Sequence, residues 1–329
     1  MEEYNNVCID GKKLPLVAVV GPTASGKTGF AVEIAKKFNG EVISMDSMQI
    51  YKRLNIGTAK PSESEMQGIK HHLIDCVDAN EPFTANDYVA LAANTAENIY
   101  SQGKLPIICG GTGLYLNSLL YSYNMSEAEV DYSLREQLYK EAEEYGREHI
   151  YNRLKAVDPK SAEEIHPNNV KRVIRALEIY MLTGKPKSEQ ITSLEDGPFD
   201  ALVFGMNWDR EALYERINKR VDIMLENGLE DEVRTLLDDG ILRKGSELTQ
   251  AGQAIGYKEM LEYIDGEISF NDAVEKIKMN TRRYAKRQMT WFKKTKNIRW
   301  MNPYNDAEKS EAYNIIKNFT ERFGFINEF

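Results

Sequence analysis

One octapeptide constrains this chain more than any bulk property: Gly21-Pro22-Thr23-Ala24-Ser25-Gly26-Lys27-Thr28. An apolar run over 14–20 precedes it, and a helical pattern over 27–38 follows. A G-x-x-x-x-G-K-[ST] match between a strand and a helix makes a phosphate cradle. Gly21 and Gly26 allow backbone angles that other residues resist. The loop N–H groups then turn inward, and the helix start adds the positive end of its dipole. Lys27 brings a point charge and Thr28 a hydroxyl for Mg²⁺. The loop predicts a bound di- or triphosphate but does not name it.

Further apolar runs over 41–45, 105–109 and 201–206 read as buried strands, and 71–76 as another. Thr84, with Asp87 in the capping-box position, starts a helix that reaches about Ser101. The polar stretch 51–70 reads as loop and a short helix. Strands alternating with helices predict an α/β fold: a doubly wound parallel sheet of the P-loop NTPase-like kind. Ligands of such sheets sit beyond the carboxyl ends of the strands. That rule puts the glycine loop, Asp46 and Thr112 on one rim.

Near Ser126 the composition shifts. Residues 127–164 hold eleven acidic and six basic side chains, with helical spacing and no strand pattern. They predict an α-helical insertion over 126–194 within a core domain of 1–125 and 195–329. Beyond the strand at 201–206 the pattern is helical over 210–227, 229–239, 252–265 and 269–294. An edge strand is expected at 298–301 and a last helix from Asp306.

No run of about 18 apolar residues occurs, so no membrane span is expected. The N-terminal residues lack the basic and apolar regions of a signal peptide. Three scattered cysteines, Cys8, Cys76 and Cys109, make neither a disulfide framework nor a metal spacing. A reducing cytoplasm is the expected compartment, and a monomer the expected state. The net charge of −9 argues against nucleic acid, yet residues 276–299 hold ten Lys or Arg and no Asp or Glu. A local basic stripe on an acidic chain marks a site for a polyphosphate backbone. Most of its aromatics, Tyr284, Trp291, Phe292 and Trp300, are expected to pack into the core.

Several residues can carry chemistry. Asp46, just after the second strand, suits binding Mg²⁺, deprotonating an acceptor, or capping the next turn. Ser47 and Gln49 can hydrogen-bond a flat heterocycle, and Gln49 can read the N6/N7 edge of adenine. Gly110-Gly111-Thr112-Gly113 opens a helix, and the strand before it ends without the acid that holds Mg²⁺ in NTPases. Lys171 and Arg175 share one helix face. In the run 216–220, Arg220 can reach the phosphate cleft from the helix after the fifth strand, and from spacing alone a surface ion pair is an equal alternative. Gly256, read as lying within a helix, costs about 1 kcal/mol against alanine and hints at a close approach.

Together these pieces resemble the bacterial tRNA dimethylallyltransferases, or tRNA isopentenyltransferases. The matching segments are 21–28, Asp46-Ser47-Met48-Gln49-Ile50-Tyr51, 55–61, 110–115, 165–178, 253–258 and 285–292, in order along nearly the whole chain. The resemblance implies transfer of a dimethylallyl group from dimethylallyl diphosphate to N6 of the adenosine 3′ of the anticodon. It implies that residues 21–28 and Arg220 hold the diphosphate, with Mg²⁺ on Thr28. Asp46 is then the base, with Thr112 beside the reacting centre. Contacts to the tRNA anticodon stem-loop fall on Asp46, Ser47, Met48, Gln49, Thr112 and Arg135. They continue on Lys171, Arg172, Val173, Ile174 and Arg175, then Gln253, Ala254, Ile255, Gly256, Tyr257 and Lys258. Arg282 and Lys286 of the basic stripe join them. The insertion is expected to grip the stem-loop, and the target base must leave its stack to react. Two other classes share the sheet and loop: an ATP-dependent small-molecule or nucleotide kinase, and a nucleotide-gated RNA-binding protein without chemistry.

Overall fold

The computed structural model describes residues 8–9, 12–121, 131–190, 197–243 and 251–325. Contacts divide the chain into two compact units, Met1–Leu120 with Gly197–Phe329, and Tyr121–Asp196.

The first unit is built on a sheet. Its strands are β1 (Cys8–Ile9), β2 (Lys12–Val20), β3 (Gly40–Met45), β4 (His71–His72), β5 (Leu105–Gly110), β6 (Phe199–Met206) and β7 (Ile298–Met301). Six of them run parallel in the order β4-β3-β5-β2-β6-β7, and β1 adds an antiparallel pairing to β2. This is the doubly wound, P-loop NTPase-like architecture that the motif order predicts. Residues 14–20 and all of β3 and β5 are buried, as strands covered on both faces must be. Helix α1 (Lys27–Lys37) packs Phe30, Ile34 and Phe38 against Val17, Ile107 and Phe204. Burying each such side chain contributes roughly 1.5–3 kcal/mol. The last helix, α14 (Asp306–Glu321), closes this layer: Tyr313 stacks on Phe30 at 6.0 Å and donates to Glu33 Oε2 at 2.6 Å.

Strand β4 is shorter than the run over 71–76 suggests. Leu73 and Asp75 adopt left-handed backbone angles, φ 58° and 56°, and a strand cannot continue through them. Helix α3 (Ala85–Ser101) begins at Thr84 with both halves of the capping box formed. The helical reading of 252–265 needs a larger correction. A 3₁₀ turn, Ala251–Gln253, is followed by α12 (Tyr257–Ile264), and Gly256 stands before that helix at φ 100°. Gly256 is thus no mid-helix glycine; the turn demands an angle that L side chains rarely adopt.

The second unit is helical: α5 (Tyr132–Tyr145), α6 (Arg147–Val157), α7 (Pro159–Glu164), α8 (Val170–Thr183) and α9 (Lys187–Gln190). Its core joins Leu138, Ile150, Leu154, Ile165, Val173, Ile174 and Leu177. Among them lies a fully buried carboxylate, Glu178, paired with Arg135 at 2.8 Å and Arg175 at 2.9 Å. A buried charge survives only when it is matched in this way.

Candidate active site

At the carboxyl ends of β2, β3 and β5 the structure brings together three segments far apart in sequence. The octapeptide turns between β2 and α1. Gly26 takes φ 83° and Ala24 φ 61°, which curls the loop. A Cβ on Gly21 would lie 2.9 Å from Met206 Cβ, so that glycine is required by close packing. Lys27 Nζ donates to Pro22 O at 3.2 Å. Burial lowers the pKa of its ammonium; Arg220 adds to this and Asp46 opposes it.

Arg220, on α10 (Arg210–Glu226), lies within electrostatic reach of Lys27 and donates to Ala59 O at 3.1 Å. Burial lowers its pKa too, against Glu65 and Asp46. Neither Lys27 nor Arg220 is in an ion pair with a described residue. Two partly desolvated cations that hold only carbonyls form a site for an anion.

Asp46 follows β3. Its Oδ1 accepts the N–H groups of Met48 at 2.9 Å and Gln49 at 3.3 Å, so the capping reading holds for that oxygen. Oδ2 has no hydrogen bond to a described residue and is left to act on a ligand. Ser47 N donates to Thr112 Oγ1 at 3.2 Å, which ties the Asp46 turn to the glycine turn after β5. Gln49 is engaged on both sides of its amide. Its Nε2 donates to Thr58 O at 3.2 Å and Ala59 O at 3.1 Å, and its Oε1 accepts from Ser44 Oγ at 3.4 Å. Both amide hydrogens are committed here, so Gln49 braces the site.

Each glycine after β5 has its own packing reason. A Cβ on Gly110 would lie 2.7 Å from Met45 Cα, one on Gly111 would strike Gln288 Nε2, and one on Gly113 would come within 2.6 Å of Trp291 Cγ. Where an NTPase strand carries an acid, β5 has Cys109. Burial pushes that thiol up to about 11, so it stays neutral near pH 7.

Sequence spacing missed the residues that lock these loops. Gln288 lies on α13 (Phe270–Phe292), buried; its Oε1 accepts Thr23 N–H at 3.0 Å and its Nε2 donates to Gly111 O at 3.0 Å. Tyr284, one turn earlier, hydrogen-bonds with Thr112 and Gln288, and burial together with Asp46 raises its pKa. Arg216 is a third such residue. Its guanidinium lies 4.6 Å from the Trp208 ring and 4.9 Å from the Tyr304 ring, and Nε donates to Ala24 O at 2.9 Å. Trp208 Nε1 donates to Ser25 O at 2.9 Å. The phosphate loop is held from outside by its carbonyls. No spacing rule pairs Gln288 with Thr23 across 265 residues.

Several expected RNA contacts are corrected by burial. Val173 and Ile174 are fully buried in the core of the helical unit, while Lys171 and Arg172 are exposed. Arg135 and Arg175 both hold Glu178. Ala254, Gly256 and Tyr257 are buried, leaving Gln253 and Lys258 at the surface. The basic stripe also divides. Lys276 pairs with Glu262, Lys278 with Asp222 at 2.7 Å, and Arg282 donates to Asn218 Oδ1 at 2.6 Å. Neighbouring helices supply the partners that the linear window lacks. Arg283, Lys286, Arg287, Lys293 and Lys294 remain exposed.

Among the described residues no group of three or more His, Cys, Asp or Glu is placed to hold a metal. None of their helices is long and apolar enough to cross a membrane.

The IPP transferase family profile matches residues 49–295. A tRNA dimethylallyltransferase of Acetivibrio thermocellus is 50% identical over 313 residues, 94% of this chain and 99% of that one. One of Halalkalibacterium halodurans is 45% identical over 93% of this chain and 96% of its own. The crystal structure of a tRNA isopentenylpyrophosphate transferase from Bacillus halodurans superposes with a TM-score of 0.70 at 43% identity, covering 94% of this chain and 98% of that one. The crystal structure of a eukaryotic dimethylallyltransferase acting on tRNA superposes with a TM-score of 0.78 at 33% identity, covering 93% of this chain and 79% of that one. With this extent of likeness in sequence and in fold, the chain belongs to the IPP transferase family.

Proposed function

We propose that the chain transfers a dimethylallyl group from dimethylallyl diphosphate to N6 of the adenosine next to the anticodon on its 3′ side, in tRNAs reading codons that begin with U. The observation that carries this reading is that two buried cations, Lys27 and Arg220, lie within electrostatic reach of each other and of Asp46, whose Oδ2 has no hydrogen bond to a described residue. The names of the relatives agree with it.

The reaction breaks the allylic C–O bond and forms a C–N6 bond. Positive charge grows on carbon and negative charge on the departing diphosphate. Lys27, Arg220 and the remaining N–H groups of residues 21–28 stabilise that leaving charge, which is where preorganised electrostatics count most. The N6 lone pair is delocalised into the purine ring, so N6 is a weak nucleophile. Asp46 Oδ2 accepts a hydrogen bond from N6 and takes its proton as the new bond forms. Thr112, fixed by Ser47 and Tyr284, sits beside the reacting centre. No water needs activating, so the missing acid after β5 is no defect.

Mg²⁺ fits this site. It favours substrate oxygens, water and one or two protein oxygens, and the Thr28 hydroxyl is such a donor. When bound it would neutralise part of the diphosphate charge. Ser47 and Met48 line the approach to Asp46, while Lys171, Arg172, Gln253, Lys258 and Lys286 supply RNA contacts. The cytoplasm is the setting in which the tRNA substrate is met.

The test is to incubate the protein with dimethylallyl diphosphate, Mg²⁺ and unmodified tRNA, then to analyse the nucleosides by mass spectrometry. The expected product is N6-(dimethylallyl)adenosine, abolished when EDTA is added. ATP-dependent phosphate transfer with unchanged tRNA would replace this reading with the kinase. Binding of tRNA should also fall with salt. Arg283→Gln with Lys286→Gln is expected to flatten the slope of log affinity against log salt by about 2, since each cation on a phosphate accounts for about one unit of slope. An unchanged slope would put the RNA surface elsewhere.

A further inference from the structure

Arg220 and Gln49 are not held by the phosphate loop. Both hang on the carbonyls of the turn over residues 54–60, which is neither helix nor strand at its tip. Ala59 O accepts from Arg220 Nη2 and from Gln49 Nε2, and Thr58 O accepts from Gln49 as well. Gln49 N in turn donates to Asp46 Oδ1. The position of this one turn therefore sets the leaving-group cation and braces the base.

The turn itself is clamped from the far side. Asn55, Ile56 and Gly57 present three successive N–H groups in one direction. A single carboxylate fills that concavity: Glu232, on α11 (Leu229–Asp238). Its Oε2 accepts from Asn55 N at 3.0 Å and Ile56 N at 2.8 Å, and its Oε1 accepts from Gly57 N at 3.1 Å. Tyr257 Oη donates to the same Oε1 at 2.6 Å. The Tyr257 ring also lies against Gly57: a Cβ there would be 2.5 Å from Tyr257 Cζ. One aromatic residue thus presses on the turn and orients the acid that holds it. Charge-assisted bonds of this kind are the strong ones, and their geometry fixes the backbone that makes them.

We infer that Glu232 is a positioning residue for the diphosphate: by clamping the 55–57 N–H groups it holds the Ala59 carbonyl that aims Arg220. The inference rests on the proposed function, because it needs a diphosphate in the cleft. Glu232 touches neither substrate; it acts through Arg220.

The experiment measures binding of inorganic diphosphate with Mg²⁺, and KM for dimethylallyl diphosphate at saturating tRNA, in wild type, Glu232→Gln, Arg220→Ala and the double variant. Glutamine keeps the size but turns one acceptor into a donor facing an N–H group. Glu232→Gln is expected to raise the diphosphate Kd and the donor KM about tenfold, with KM for tRNA within twofold of wild type. In the Arg220→Ala background the same change should leave the diphosphate Kd within twofold, because the residue it acts through is gone. A merely structural role would lower Tm in both backgrounds and weaken both substrates together, and that result overturns the inference. Tyr257→Phe, which removes one bond to Glu232, carries the same test with an expected threefold effect and serves if Glu232→Gln is insoluble. Wild-type protein that ignores diphosphate overturns the proposed function, and this inference with it. Wild-type binding with an unchanged Glu232→Gln overturns the inference alone.

Discussion

Asp46→Asn is expected to lose between a hundredfold and ten-thousandfold in single-turnover rate while tRNA still binds within threefold of wild type. The range is what a positioned general base contributes, roughly 3–5 kcal/mol of barrier. Asparagine is the informative replacement because Asp46 has two jobs. Its Oδ1 receives the N–H groups of Met48 and Gln49, which shapes the turn beside Thr112. An amide oxygen can keep those bonds, yet an amide nitrogen cannot take a proton from N6. Asp46→Ala would remove both roles and add a cost for two unpaired N–H groups. Equal losses in the two variants would mean that proton transfer is the dominant role. Turnover of Asp46→Asn within tenfold of wild type would show that Asp46 is not the base.

Gly110→Ala is expected to lower the melting temperature by about 5 °C and to cut turnover about a hundredfold. Gly110 sits at the end of β5 between two neighbours, opposite Met45 of β3 and Val20 of β2. The added methyl would lie 2.7 Å from Met45 Cα and nearer to its carbonyl group. These are backbone atoms of a central strand, so no rotamer change relieves the clash. Overpacking costs about 1–3 kcal/mol or more in such places, and 1 kcal/mol shifts Tm by about 2–4 °C in a domain of this size. The gain from restricting the unfolded chain is about 0.4–1 kcal/mol and of opposite sign, so the clash wins. Met45 leads into Asp46 and Gly110 into Thr112. A shift of about 1 Å between them is enough to cost a hundredfold in rate. Calorimetry and a turnover assay check both parts, and wild-type stability of Gly110→Ala would refute the argument.

Much of this protein is legible in the order of its residues. The glycine loop, the strands beside it and the capping box at Thr84 depend on neighbours within a few residues. Apolar periodicity and short-range hydrogen bonding report such things directly. The parallel sheet follows from the alternation of strands with helices and from the handedness of the crossovers between them. The position of Asp46 at a strand end was enough to single it out.

Other features are set by contacts that no local pattern encodes. Gln288 bonds to Thr23, Glu232 to the turn at 55–57, and Tyr257 lies against Gly57, all across long separations. The same gap explains the errors. Val173 and Ile174 sit within a basic motif yet face the core, because a helix turns its residues through 100° each and only packing says which side is inward. Lys276 and Lys278 look like free cations in a window without acids, but Glu262 and Asp222 meet them from other helices. The linear chain by itself determined the glycine loop and the carboxylate at the neighbouring strand end, since both lie at strand ends that local sequence defines. Tertiary structure alone decided what aims and braces those groups, because that work is done by side chains brought together only when distant helices pack.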